Sequence, residues 1–283
     1  MEAIRGAAVA GSFYAGSAPG LRAQVEAAFL HPQGPGALPR VDPHGPRRLA
    51  GLVVPHAGLA YSGPVAAHAY AALAADGQPD TAVIIGPNHA GLGPAVAVSL
   101  AAAWRTPLGE VPVARDLAEA LLAGLAAAAP SEVAHEREHS LEVQLPFLQY
   151  LYGAAVAVVP VVMSDQRPAV AQALGEALAA ALTGRNAVII ASTDLNHYES
   201  QSAALVKDQL VLDAVLSGDT ARLLELAPYQ VTACGPGPVA AALTAARLLG
   251  ADRVALLKHA TSGDVSGDTR SVVGYAALTL GRA

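Results

Sequence analysis

Four short polar stretches, each placed just after an apolar run, carry the residues with chemical capacity: Pro55-His56-Ala57-Gly58, Gly86-Pro87-Asn88-His89, Asp194-Leu195-Asn196-His197 and Thr232-Ala233-Cys234-Gly235. Three supply imidazoles and the fourth supplies the only thiol. In a chain that is 53% hydrophobic and 14% charged, such side chains at the mouths of buried strands are candidates for one shared, metal-capable pocket. An imidazole without a partner is costly to bury, so histidines delivered to one edge by two strands point to a common ligand. Asp194, three residues before His197, is a carboxylate placed to fix an imidazole's tautomer and raise its basicity. Cys234 precedes Gly235-Pro236-Gly237-Pro238 and a helical pattern. The positive field of a helix start favours thiolate, whereas a lone cysteine is also a small buried hydrophobe; the sequence leaves both open.

These stretches need strands that end at one edge. Leu49 to Val54, Thr81 to Ile85, Ala154 to Val162 and Ala187 to Ala191 are short continuous apolar runs, the pattern of strands buried on both faces of a parallel sheet. Helical patterns alternate with them: Pro19 to Leu30 capped by Ser17, Pro64 to Ala75, Ala114 to Ala129, Pro168 to Leu182, a stretch around Val206 to Val215, Thr220 to Leu226, and one running to Leu249. Ala95 to Leu100, Val254 to Lys258 and Val272 to Leu280 supply further strands, and Thr106 to Val111 a turn-rich crossing. The expected fold is therefore α/β, one domain over 1–283 with a central, mostly parallel or mixed sheet flanked by helices. In such sheets ligands bind beyond the carboxyl ends of the strands, where His56, His89 and Asp194 all fall.

In His135-Glu136-Arg137-Glu138-His139-Ser140-Leu141-Glu142, a helix is expected to begin at His139 or Ser140 and to restart near Pro146. His139 and Glu142 would then share a face and support a metal site or relay protons, with Asn88 beside His89 as a further supporting residue. His135, Glu136 and Glu138 read as a solvated helix start. His31 and His44 lie in a Pro/Gly-rich surface loop, His68 reads as a packed or surface residue, and Trp104 as a packing anchor. The loop His259 to Arg270 is either a lid or an ordinary connection.

Seventeen Lys+Arg against twenty-three Asp+Glu, a net charge of −6, speaks against nucleic acid or an anionic membrane as partner. No run offers the roughly 18 uncharged apolar residues of a spanning helix, and no secretory signal is evident. One cysteine makes no internal disulfide, so a reducing cytoplasm is the default.

The chain also resembles the Memo family, whose bacterial and archaeal members form the AmmeMemoRadiSam system protein B group. Ala10-Gly11-Ser12-Phe13-Tyr14, Val54-Pro55-His56-Ala57-Gly58, Gly86-Pro87-Asn88-His89, Glu138-His139-Ser140-Leu141-Glu142, Ser192-Thr193-Asp194 with His197, Thr232-Ala233-Cys234-Gly235, and Ser262-Gly263-Asp264-Val265-Ser266-Gly267-Asp268 through Val273-Gly274-Tyr275 occur in family order. The resemblance implies an α/β domain similar to class III extradiol dioxygenases, with His56, His89 and Cys234 as metal ligands, His197 as acid/base and Asp194 beside it. Those dioxygenases place a carboxylate where Cys234 stands. A thiolate softens the site toward copper(I), zinc or thiolate-bound iron; iron(II) or copper is the expected metal, with zinc the other choice, and no organic cofactor is expected. The family name further implies radical-SAM and AMMECR1-type partners. Three functions follow as expectations: a dioxygenase-like redox protein acting on a small molecule or peptide in the pocket, a non-catalytic metal- or partner-binding protein, and a thiol hydrolase using Cys234 and His197.

Overall fold

The apolar runs form strands because each residue pair in them has two hydrophobic faces to satisfy. Leu52 and Val54 pack into one apolar cluster and Val53 into another; Ile84 and Ile85, and Val158 and Val159, divide the same way. Side chains alternate across a strand, so the two clusters are the cores on the two sides of one sheet. Each fully buried Val, Leu or Ile in them contributes roughly 1.5–3 kcal/mol.

The computed structural model describes residues 3–227 and 230–282. In chain order the elements are β1 (Ile4–Arg5), α1 (Ala18–Leu30), β2 (Leu49–Val54), α2 (Leu59–Asp76), β3 (Thr81–Pro87), β4 (Val96–Val98), β5 (Ala103–Thr106), β6 (Gly109–Pro112), α3 (Arg115–Gly124) and β7 (Ala128–Pro130). After them come α4 (Leu145–Tyr152), β8 (Ala157–Met163), α5 (Pro168–Leu182), β9 (Ala187–Ser192), β10 (His197–Glu199), α6 (Gln201–Leu216), α7 (Thr220–Leu226), α8 (Pro236–Leu248), β11 (Arg253–Thr261), α9 (Ser262–Ser266) and β12 (Val272–Gly281).

The main sheet runs β10-β12-β2-β9-β3-β8-β4-β7, with β11 also paired to β12. Its centre, β2-β9-β3-β8, is parallel, and antiparallel pairs at β12–β2 and β4–β8 make the whole mixed. This is the α/β fold expected. A smaller sheet, β1-β5-β6, packs beside it. Helices α1, α2 and α4 contribute to the cluster on one face, and α3, α5, α7 and α8 to the other.

Several boundaries differ from the sequence reading for identifiable reasons. Helix α2 starts five residues before Pro64 and carries that proline inside it; the ring removes the bond to the Ala60 carbonyl, and burial of Leu59, Val65, Tyr70 and Leu73 outweighs that loss. The Ala/Leu-rich Ala114–Ala129 stretch is helical only to Gly124; Ala128–Pro130 instead pairs with β4, so tertiary pairing overrides propensity. Thr106 to Val111 is the turn of the β5–β6 hairpin. The Ser262-Gly263-Asp264 stretch is no loose lid: β11 extends to Thr261, and Thr261 and Asp264 form a capping box on α9.

Candidate metal centre

β2, β9 and β3 end side by side, and the residue after each exit is set by a hydrogen bond to a buried group. Asp194, just beyond β9, accepts the backbone N–H of His56 at 2.7 Å and of Ala57 at 3.3 Å, which fixes the turn leaving β2. Ser62 Oγ then donates to the Ala57 carbonyl at 2.7 Å, and Leu59 N–H donates to the Phe13 carbonyl at 2.8 Å, tying the turn to the N-terminal segment.

The His56 tautomer follows from its neighbour. Ser192 Oγ donates to the Ser140 carbonyl at 2.8 Å and accepts Gln144 Nε2 at 3.0 Å, so His56 Nδ1, 2.8 Å away, is the protonated nitrogen. Nε2 keeps its lone pair and lies 3.2 Å from Cys234 Sγ. Burial, then the charges of His89 and His139, push the His56 pKa well down, so the imidazole is neutral and able to ligate.

His89 is held by Glu138, which accepts its backbone N–H at 2.6 Å and its Nδ1–H at 2.9 Å. Burial pushes the Glu138 carboxyl up, but these bonds and the Ser140 N–H outweigh it and bring it to about 2. A carboxylate on one imidazole nitrogen, with the other nitrogen left bare, is the arrangement that orients a metal-binding histidine and raises its basicity. Glu138 is fully buried, the opposite of the solvated helix start read from its charged neighbours; His135 is buried too, donating Nδ1–H to the Ser131 carbonyl at 2.7 Å, while Glu136 is exposed.

His139 completes the cluster, its ring stacked on that of His89 at 4.5 Å and edge-on to His56 at 5.5 Å. Glu142 does not share its face. The 139–141 segment is irregular and only a short 3₁₀ turn spans Glu142–Gln144, so Glu142 turns to the N-terminal segment, pairing with Arg5 and Tyr14 and accepting Ala8 N–H at 2.8 Å. Asn88 also leaves the cluster: its amide closes its own loop on Leu92 and Gly91.

Cys234 approaches from the loop before α8. Gly235 makes this possible, since a Cβ there would sit 2.7 Å from the Ser192 carbonyl oxygen. Burial, and then the Asp194 carboxylate, push the Cys234 thiol up, and the N–H of Asp194, 3.1 Å from Sγ, only partly opposes them. The helix-start field expected to favour thiolate is therefore outweighed, and without a cation the group is a thiol. The imidazole within its reach is that of His56. A cavity of ≈ 620 Å³ opens beside Cys234, lined by Asp165, Gln166, Leu224, Val231 and Pro236 among others.

His197 lies outside the close cluster. Its Nδ1 donates to the Thr232 carbonyl at 2.9 Å and its backbone N–H to Thr232 Oγ1 at 2.7 Å. Thr232, not Asp194, thus sets its tautomer, because the Asp194 carboxylate is turned to the His56 backbone. Burial raises Asp194 to about 6 against the pull of those N–H groups and of the nearby His197 charge.

His56, His89 and Cys234 place one imidazole nitrogen each and Sγ within 4.8 Å of one another, and His89, Glu138 and His139 form a second such group. Bare nitrogens and a sulfur at that spacing fit a single soft or borderline transition metal.

A family model described as Memo-like protein matches residues 5–279. The chain belongs to the Memo-like family. A MEMO1 family protein of Ignicoccus hospitalis is 48% identical over 97% of this chain and 98% of its own length. Those of Methanopyrus kandleri and Thermotoga neapolitana are 48% and 46% identical, each over 98% of this chain and 99% of their own. The crystal structure of an uncharacterized protein from Escherichia coli K12 superposes with a TM-score of 0.54 at 16% identity, covering 83% of this chain and all of that one, a likeness of fold alone. Among the described residues of this Memo-like chain no helix is long and apolar enough to cross a membrane.

Proposed function

We propose that this chain is a metal-dependent redox protein, with iron or copper held by His56, His89 and Cys234 and a substrate entering from the adjoining cavity. The observation that carries this reading is the set of three donor atoms within 4.8 Å, two of them on imidazoles whose far nitrogens are already committed to Ser192 and Glu138. Such pre-orientation stabilises a ligand set and is wasted on packing alone.

Bound there, the metal would supply one-electron chemistry and an open coordination position. The protein supplies the rest. His197, with Nδ1–H given to Thr232, keeps Nε2 free to take a proton from a substrate hydroxyl. Asp194, with a pKa of about 6, changes protonation near neutral pH while holding the His56 turn. Cys234 must lose its proton when the metal binds, so loading is favoured as pH rises. The cavity of ≈ 620 Å³ is large enough for a small aromatic or short peptide substrate. The single free thiol supports a cytoplasmic location, where it stays reduced.

The sulfur donor also favours a second reading, tight metal binding without turnover in company with radical-SAM and AMMECR1-type partners. Elemental analysis of protein purified without oxygen or chelators tests both. About one iron or copper per chain, lost in His89→Ala and Cys234→Ser, is expected; no metal in any sample after reconstitution removes both readings. Oxygen uptake with catechol-type substrates that falls in a metal-replete His197→Ala favours the redox protein, and uptake absent throughout favours metal binding.

A further inference from the structure

At the opposite edge of the sheet, where β2 and β9 begin, Arg47, Arg48, Arg185 and Arg282 line one surface pocket of ≈ 400 Å³. Four guanidinium groups around one hollow repel each other unless compensated, and here compensation is partial. Asp76 accepts from Arg47 Nη1 at 2.9 Å and Asp116 from Arg185 Nη1 at 2.7 Å. The Arg282 guanidinium donates to the Leu249 carbonyl at 2.8 Å and pairs with no carboxylate among the described residues, and the Arg48 side chain engages no partner among them. Among the described residues, four positive charges against two paired negative ones leave two unmatched, in a chain whose net charge is −6.

The hollow is held in shape at some cost. Arg47 has φ 51, a left-handed conformation that costs a non-glycine residue about 1 kcal/mol or more and persists only where its surroundings over-determine it. Buried Asp76 does so: its carboxylate accepts Arg48 N–H at 2.7 Å and Leu49 N–H at 3.0 Å, and its carbonyl accepts Arg47 N–H at 3.0 Å. Arg47 Nε donates to Asn186 Oδ1 at 2.8 Å, and the Arg282 N–H donates to the Arg48 carbonyl at 3.1 Å. The Arg47-Arg48 segment is thereby tied by a side-chain bond to Asn186, next to Arg185, and by a backbone bond to Arg282. Between them the wall is apolar, formed by Leu49, Leu182, Ala187 and Leu249.

We propose that this pocket binds a small organic phosphate, its dianionic head on Arg48 and Arg282 and a compact apolar body against Leu182 and Leu249. A phosphate dianion matches the two unmatched charges, and the planar guanidinium fork pairs with phosphate oxygens two at a time. The volume suits a ligand of that size. Six residues of β2 separate this edge from His56, about 20 Å, so the occupant is a second ligand and not the substrate of the metal-capable cluster.

Phenyl phosphate, inorganic phosphate and phenol are the probes, titrated calorimetrically into the wild type, Arg48→Ala, Arg282→Ala and a control, Arg137→Ala, which removes an exposed arginine elsewhere. The expected result is saturable one-to-one binding of phenyl phosphate, about ten-fold or more tighter than either fragment. Each pocket variant should weaken it by about ten-fold or more, while the control stays within about two-fold and metal content is unchanged in all. The two pocket side chains pair with no carboxylate among the described residues, and matched melting temperatures will exclude misfolding as the cause. Non-saturable binding, equal affinity in wild type and both pocket variants, or an equal loss in Arg137→Ala overturns the site. Inorganic phosphate binding as tightly as phenyl phosphate overturns the apolar half of it.

Discussion

β2 is gripped at both ends by the same device, a buried carboxylate accepting two consecutive backbone N–H groups, yet the two ends differ in what the carboxylate faces. At the amino end Asp76 takes the N–H groups of Arg48 and Leu49 together with the Arg47 guanidinium. At the carboxyl end Asp194 takes those of His56 and Ala57 and pairs with no cation among the described residues. The first is a closed structural joint. The second is left with a carboxyl raised to about 6, because nothing repays its burial in full. A buried carboxylate without a partnering cation thus keeps a raised pKa, and one with a cation serves as a rigid joint.

Substitutions can break or sharpen that contrast. Asp76→Ala strands two N–H groups and a guanidinium at once and is expected to cost about 3 kcal/mol in urea unfolding, with metal stoichiometry intact in the folded fraction. A loss below about 1 kcal/mol would show that the joint is not structural. Glu138→Gln is expected to lower metal affinity by about 10- to 100-fold while leaving the three ligands in place, measured by competition with a chelator. In the metal-free protein the stability that Glu138 contributes is present above its ordinary 4.5 and lost as pH falls through about 2; the variant should lack that acid loss.

Asp194→Asn keeps an oxygen for the His56 and Ala57 N–H groups, so the expected change at neutral pH is about 1 kcal/mol or less. The slope has the opposite sign. Asp194 is raised, so its contribution is whole below its ordinary 3.8 and is lost as pH climbs through about 6. Metal-free wild type should weaken across that window and the variant should not. A smaller effect still is expected for Asn88→Ala, about 0.5 kcal/mol from a loop amide, with metal binding unchanged; a large loss of metal would return Asn88 to the cluster.

The strand exits were legible because continuous apolar runs closed by Gly, Pro and polar residues have few other readings, and both imidazole-bearing turns lie where the pattern put them. Glu138 was not legible. Two charged residues and two histidines crowd around it in sequence, the signature of a solvated surface, and only the three-dimensional exit of β3 shows that it is needed beneath His89. The sequence signals for it were its place in the family-matching segment Glu138-His139-Ser140-Leu141-Glu142 and the apolar Ala134 and Leu141 on either side of the charged run, both of which are buried. Asp194 and His197 lie in the loop after β9 as expected, but a loop separation of three does not fix which group a carboxylate faces: Asp194 turns to the His56 and Ala57 N–H groups and His197 to Thr232. Ser192 and Gln144 gave no signal, since a hydroxyl or amide announces nothing until its neighbours are known.

β2 and β3 are not neighbours; β9 runs between them. Two strand spacings, about 9.6 Å, separate the backbones that carry His56 and His89, whereas their rings approach to 5.2 Å. The sheet therefore acts as a ruler with β9 as its middle mark, and Ser192, level with Val54, is the graduation against which His56 is set. A one-residue slip of β9 would turn Ser192 to the other face, so assembly of the donor set reports on whether the centre of the sheet has folded in register.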